Sequence, residues 1–266
     1  MSFAKRILAI ISMFMMLASA FGCGSSQSIS EKPLKILHVG TNMDFMPFEF
    51  KTEENPEVQG FDIDLMKALA AKMNYRVEFS DYLFEQLIPA LNGKEVDVII
   101  SAITINDERK MKVSFSEPYF KSGLAIVVAE DSDIKSVADL EGKKICARRS
   151  TTGAIAAKGI KNSQVLEFDT LNESFAMVKD GGAVAFINDR PVIEYLFLTG
   201  QKNIFPLVKS VDGLKIFDEN LTQEEYGVAV RTDDKELLQK IDAALQELKQ
   251  SGEYQKIYDK WFAASK

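Results

Sequence analysis

The feature that most limits how this chain can fold is an alternation of short apolar runs with amphipathic stretches. It begins at residue 35, restarts after residue 124 and returns near the end. Lys35 to Gly40 reads as a strand, and Asp62 as the N-cap of a helix with Leu65, Leu69 and Met73 on one face. Tyr75 to Phe79 is a strand and Phe84 to Asn92 a helix stopped by Gly93. Val96 to Ile100 is an apolar, β-branched run suited to burial on both faces. That βαβαβ order predicts a doubly wound α/β arrangement on a mostly parallel sheet. Leu124 to Val128 reads as a further strand. A second alternation follows over Lys144 to Ala147, Thr152 to Lys158, Val165 to Phe168, Glu173 to Lys179 and Ala183 to Ile187. Asp189 to Leu198 is a helix that tolerates Pro191 in its first turn. Tyr226 to Val230 is a strand, and Asp234 to Lys249 a helix with Leu237, Leu238, Ile241, Leu245 and Leu248 inward. Two alternating blocks with a late strand and helix predict two lobes, with the chain crossing between them twice.

The richest stretch chemically runs from Asp97 to Phe120. Its strand ends in small and hydroxyl residues, Ser101, Ala102 and Thr104, and Arg109 follows at one helical turn. Open α/β folds place ligands beyond the carboxyl ends of their strands. Hydroxyls and free amides there suit a small carboxylate, and a guanidinium can grip it through two parallel hydrogen bonds. The competing reading is a solvated turn in which the charges of Asn106 to Lys110 only face water.

The amino terminus has the form of an export signal. Lys5 and Arg6 precede an apolar run from Ile7 to Phe21, short for a permanent span. Gly22 and Cys23 follow, then a polar small-residue tether, which reads as a lipoprotein signal over residues 1–22 with Cys23 lipidated and residues 23–34 as the tether. Ala18-Ser19-Ala20 is an alternative cleavage site that would leave Cys23 a free thiol. The other cysteine, Cys146, lies in an apolar run and reads as a small core residue. Two cysteines and one histidine argue against a metal site, and no cofactor is expected. A net charge of −7, more negative once Lys5 and Arg6 are removed, argues against nucleic acid or anionic lipid head groups as partners.

Several segments carry a family resemblance: Gly40 to Phe50, Gly60-Phe61-Asp62-Ile63-Asp64-Leu65, Leu87 to Leu91, Ile103 to Arg109, Glu117-Pro118-Tyr119-Phe120 and Tyr258 to Phe262. In this order and spacing, residues 35 to 262 resemble the extracytoplasmic solute-binding proteins of polar amino-acid ABC importers, the third solute-binding family. The resemblance implies a lobe built from residues 35–122 and 224–266 and a second lobe from 123–223, with crossings near Ser122-Gly123 and Gln223-Glu224. It implies a ligand held between the lobes, a location outside the cytoplasm, and permease and ATPase subunits as partners. Residue by residue, Phe45 and Phe84 match the aromatic walls of the site. Ser101, Ala102, Thr104 and Arg109 match the carboxylate grip, Thr151 and Thr152 the second lobe's donors, and Asp189 the acid that takes the ligand's ammonium.

Specificity is less legible. Many members of the family carry an aspartate at position 42, where it meets the ligand; Asn42 there disfavours a cationic side chain. Arg149, if inward, favours glutamine or an acidic side chain; if Arg148 and Arg149 both face out, they are surface charges. The reading is therefore a receptor for a polar L-amino acid, with glutamine or glutamate favoured. The alternatives are a dehydratase-like enzyme resembling arogenate or cyclohexadienyl dehydratases, and a ligand-sensing subunit.

Overall fold

A computed structural model describes residues 34–52, 55–199, 211–217 and 221–262. The expected signal segment, the tether up to residue 33 and Cys23 lie outside the described residues.

Two five-stranded sheets carry the fold. The first orders its strands Tyr75–Asp81, Lys35–Thr41, Val98–Ile99, Ala229–Val230, Ser114–Phe115. The second orders them Gln164–Phe168, Lys144–Arg148, Ala185–Asp189, Leu124–Ala129, Leu214–Ile216. Each sheet is mixed: its first two pairings are parallel and its last two antiparallel, so four of its five strands run one way and a single strand is reversed. The parallel members are joined by helical crossovers, as doubly wound sheets require. The antiparallel members Leu124–Ala129 and Ala229–Val230 instead arrive from the crossings, with no helix to turn the chain around.

The crossings themselves pair. Phe120–Ser122 runs antiparallel to Glu224–Tyr226, forming a two-stranded ribbon between the sheets. The expected strand Tyr226 to Val230 is therefore two strands, interrupted at Gly227 and Val228, because Tyr226 belongs to the ribbon and Ala229 to the first sheet. Phe48, Phe61, Phe120, Tyr226 and Phe262 pack around the ribbon's first-lobe end. Phe48 meets Phe120 edge-on at 4.9 Å, and Phe120 stacks on Tyr226 at 5.7 Å. Phe262 ends a helix, Glu253–Phe262, that the sequence reading did not assign. Aromatic pairs of this kind add to plain burial, which fixes the ribbon's root in the first lobe.

Local signals explain most helix starts. Thr151 Oγ1 accepts from Ala154 N–H at the head of Thr152–Gly159, and Asp234 accepts from Leu237 N–H at the head of Lys235–Ser251. Asp62 is a correction. The helix Phe61–Lys72 is capped by Gly60, and Asp62 lies inside its first turn with no exposure to solvent. Gly60 takes φ +136°, and a Cβ there would stand 2.0 Å from the Phe48 carbonyl oxygen. Only glycine fits this approach. Gly60→Ala should cost on the order of 3 kcal/mol, measured by chemical denaturation; an unchanged midpoint would contradict this account of the turn.

Candidate functional site

The loop beyond Val98–Ile99 brings Ser101, Ala102 and Thr104 to the carboxyl end of the first sheet's central strand. Ala102 sits at φ +43°, uncommon for a residue with a Cβ. Its N–H donates to Asp62 Oδ2 at 2.7 Å, and Tyr119 Oη donates to the same oxygen at 2.8 Å. Ser101 Oγ donates to Glu49 Oε1 at 2.8 Å and accepts from Asn42 N–H. The loop thus rests on two buried acids, Glu49 and Asp62. Burial, then the neighbouring Asp62, raises the Glu49 carboxyl well above its usual range, and burial pushes Asp62 up to about 6.

Arg109 lies in the short helix Asp107–Lys110, whose cap Asn106 accepts its N–H at 2.8 Å. Its side chain is turned inward, and the residue is only 7% exposed, so the solvated-turn reading fails for it. Nη1 donates to Thr104 O at 2.9 Å, and Nη2 reaches the second lobe at Ser150 O, 3.3 Å away. The guanidinium lies 5.1 Å from the centre of the Phe84 ring. Burial lowers its pKa, and the charges of Asp189 and Glu224 act against that shift.

From the second lobe, Arg148 enters the cleft at 3% exposure with its guanidinium 5.5 Å from the Phe45 ring centre. Nη2 donates to Asp44 Oδ1 at 2.7 Å and to Asn42 Oδ1, and Nε donates to Asp169 O at 3.1 Å. Arg149 corrects the inward alternative. Its side chain is 46% exposed and pairs with Asp169 Oδ1 at 2.9 Å. Successive residues at a strand end point to opposite faces, so only one of the two arginines can face the cleft. Cys146, two residues before Arg148, is buried and unpaired.

Asp189 ends the strand Ala185–Asp189 and is buried. It accepts a short hydrogen bond from Tyr226 Oη, which in turn accepts from Ser122 Oγ at 2.8 Å. Burial, then the nearby Glu224 carboxylate, pushes the Asp189 pKa to about 7, with Tyr226 and Arg109 pulling the other way.

These side chains converge. Phe45, Phe84, Ser101, Ala102, Thr104, Arg109, Arg148, Thr151, Thr152 and Asp189 line one small cavity, with free space of about 10 Å3 between their side chains. Of the residues expected at the site, only Asn42 and Arg149 are not in the lining, and Asn42 stands directly behind Arg148. A wider groove of about 590 Å3, open to solvent, shares Phe84, Arg109 and Thr151 with the cavity. The hydroxyls are a surprise. Thr104 and Thr152 both donate to Glu224 Oε2, and Thr151 donates to Arg148 O. Ser101 donates to Glu49 and Ala102 N–H to Asp62, so the strongest uncancelled feature for an anion is the Arg109 guanidinium. Arg109 on one lobe and Asp189 on the other bring a cationic and an acidic group to the same cavity, which suits a zwitterion. Among the described residues no cluster of histidine, cysteine and acids could hold a metal ion, and no helix is long and apolar enough to cross a membrane.

Residues 37–264 match the model of the bacterial extracellular solute-binding proteins, family 3. The chain belongs to that family. Among its relatives, the arginine-binding extracellular protein ArtP of Bacillus subtilis is 34% identical, the match covering 92% of each chain. The ABC transporter glutamine-binding protein GlnH of the same species is 30% identical over 96% of this chain and 95% of its own. An ancestral arginine-binding protein solved with bound arginine is 41% identical, with a TM-score of 0.77 over 85% of this chain and 98% of its own. As a family 3 solute-binding protein the chain has the expected two-lobed α/β fold.

Sequence reasoning named Arg148 without committing to it, and missed Glu224, Tyr226, Glu49 and the buried role of Asp62. Nothing local signals Glu224, whose partner Thr104 is 120 residues away.

The buried acids make stability depend on pH with a definite sign. Asp62 and Asp189, raised to about 6 and 7, and Glu49, raised well above its ordinary value, hold protons that the unfolded chain releases near pH 4. The native state therefore binds more protons between about pH 4 and 7, and its stability falls as pH rises through that window, by about 1.4 kcal/mol per unit of displaced pKa. Denaturant melts should give a higher midpoint at pH 5 than at pH 8, and Asp62→Asn should flatten the difference. A midpoint that rises with pH would contradict this.

Proposed function

We propose that this family 3 solute-binding protein receives a polar L-amino acid, with glutamine or glutamate favoured, between its lobes and delivers it to the permease and ATPase subunits of an ABC importer. Arg109 and Asp189, facing one cavity from opposite lobes, carry the reading. A zwitterion takes its carboxylate to the guanidinium and its ammonium to the carboxylate, and bridges the lobes as it does so. The named ligands of the relatives, arginine and glutamine, are polar amino acids and support the class.

The side-chain preference rests on Arg148. Its guanidinium already lies on the Phe45 ring and holds Asp44 and Asn42, so a cationic ligand side chain would face a resident cation rather than an uncommitted acid. An amide or carboxylate instead finds a donor. The protein acts by binding, not turnover: the acid lining the cavity, Asp189, is engaged by Tyr226, and the relatives described above are binding proteins. Cys23 carries the lipid that tethers the protein outside the cytoplasm. Cys23→Ser should move the protein from the membrane to the soluble fraction, and continued membrane fractionation would overturn the anchor.

A thermal-shift panel of the common amino acids followed by calorimetric titration tests the binding. A ligand at a hundred times its dissociation constant should add about 2.7 kcal/mol to stability. Glutamine or glutamate should bind more tightly than arginine. Arg109→Ala should weaken that ligand roughly thirty- to several-thousand-fold, as expected for removing one partner of a buried ion pair. No stabilisation across the panel would overturn the receptor reading, and arginine binding most tightly would overturn the role given to Arg148.

A further inference from the structure

Glu224 belongs to neither lobe's ligand set, yet both lobes reach it. It opens the second crossing strand, Glu224–Tyr226. Its Oε2 accepts from Thr104 Oγ1 of the first lobe at 2.8 Å and from Thr152 Oγ1 of the second at 2.9 Å. Its Oε1 accepts from Thr222 Oγ1 at 3.0 Å, just before the same strand. Both lobe threonines line the cavity, and each hydroxyl has one proton to give. One carboxylate oxygen therefore collects a hydroxyl from each side of the cleft, and it can do so only while the lobes lie together. Its charge also matters. The ionisable groups around it are Arg109 from the first lobe, Asp189 from the second and Tyr226 on its own strand, and Glu224 acts on all three. Asp189 and Glu224 thus stand close enough for their charges to interact.

We infer that Glu224 is a positioning residue that couples lobe closure to binding: it latches Thr104 and Thr152 across the cleft, and its charge adds to that of Asp189 in favouring an ammonium. This rests on the reading of the cavity as an amino-acid site, although the latch is separable from it. Opening the lobes separates Thr104 from Thr152, so at least one hydrogen bond to Oε2 is lost. Closure restores it, and an engaged ligand leaves more slowly. Because its charge opposes ionisation of Asp189, Glu224 also sets the pH below which an ammonium ligand loses its counterion.

The experiment compares the full chain with Glu224→Gln and Glu224→Ala. Small-angle scattering without added amino acid reads closure, and stopped-flow mixing with the amino acid selected by the panel reads exchange. For Glu224→Ala we expect a larger radius of gyration and dissociation at least tenfold faster, with association changed less than threefold. Glu224→Gln keeps an acceptor oxygen but not the charge. It should preserve closure, yet shift the acid limb of the affinity profile to lower pH, since Asp189 then ionises more easily; a merely structural role would not move that limb. If wild type and Glu224→Ala scatter identically, the latch is wrong whether or not any amino acid binds. If the acid limb of Glu224→Gln coincides with that of wild type, the electrostatic half is wrong. If wild type binds no amino acid while Glu224→Ala expands, the latch stands and the receptor reading falls.

Discussion

The pairing of two short crossing strands constrains everything in the cleft. Phe120–Ser122 and Glu224–Tyr226 share a narrow antiparallel ribbon, so the chain passes between the lobes in two short paired segments. Such a joint bends easily, and lobes that swing on it keep their own packing intact. The aromatic cluster of Phe48, Phe61, Phe120, Tyr226 and Phe262 anchors one end of the ribbon in the first lobe. The ribbon is tied to the second lobe by Tyr226 Oη, which donates to Asp189, and at its other end by Leu124 N–H, which donates to Thr222 Oγ1. Crossing strands and cavity are therefore in direct contact, since Tyr226 donates to Asp189 and Glu224 accepts from Thr104 and Thr152 of the lining.

Charges in the cleft are arranged so that burial does not leave them stranded. Arg109 finds two carbonyl oxygens and an aromatic face, and Arg148 finds Asp44, Asn42 and the Phe45 ring. Isolated, either guanidinium would be costly at this depth. The acids are treated differently. Glu49 and Asp62 have hydroxyl and amide donors but no cation close by, and each keeps one oxygen without a hydrogen-bond partner. Their raised pKa values are the cost of holding the loop at Ser101 and Ala102 in place, including the left-handed turn at Ala102.

What the sequence disclosed follows from how far each signal reaches. The strand and helix alternation is local, and it located the parallel strands and their crossover helices to within a few residues, but not the strands Ser114–Phe115, Phe120–Ser122 and Leu214–Ile216 or the helix Glu253–Phe262. The carried-over motifs brought Phe45, Phe84, Arg109, Thr151 and Asp189 to one cavity because they sit at fixed places on those elements. Arg148 and Arg149 were harder, since two adjacent like charges differ only in which way the strand end turns. Cys146 offered a usable signal, as side chains two apart on a strand share a face. Asp62 misled for the opposite reason: an acid in a helix's first turn reads as a cap whether it points to backbone amides or into the core. Glu224 was invisible, because its meaning depends on hydroxyls 72 and 120 residues away.

The Arg148–Asp44 pair lies at a different depth from the contacts beneath it. Arg148 is buried and the Asp44 side chain is 34% exposed, so one partner of this bond between the lobes touches solvent even though burial raises its pKa. Mobile ions screen an exposed charge within about 10 Å at moderate ionic strength, and act far less on groups sealed below. The rim of the cleft is thus a salt-sensitive clasp over a salt-insensitive floor. For a protein working outside the cytoplasm, the ionic strength of the surroundings becomes an input to how readily the lobes part.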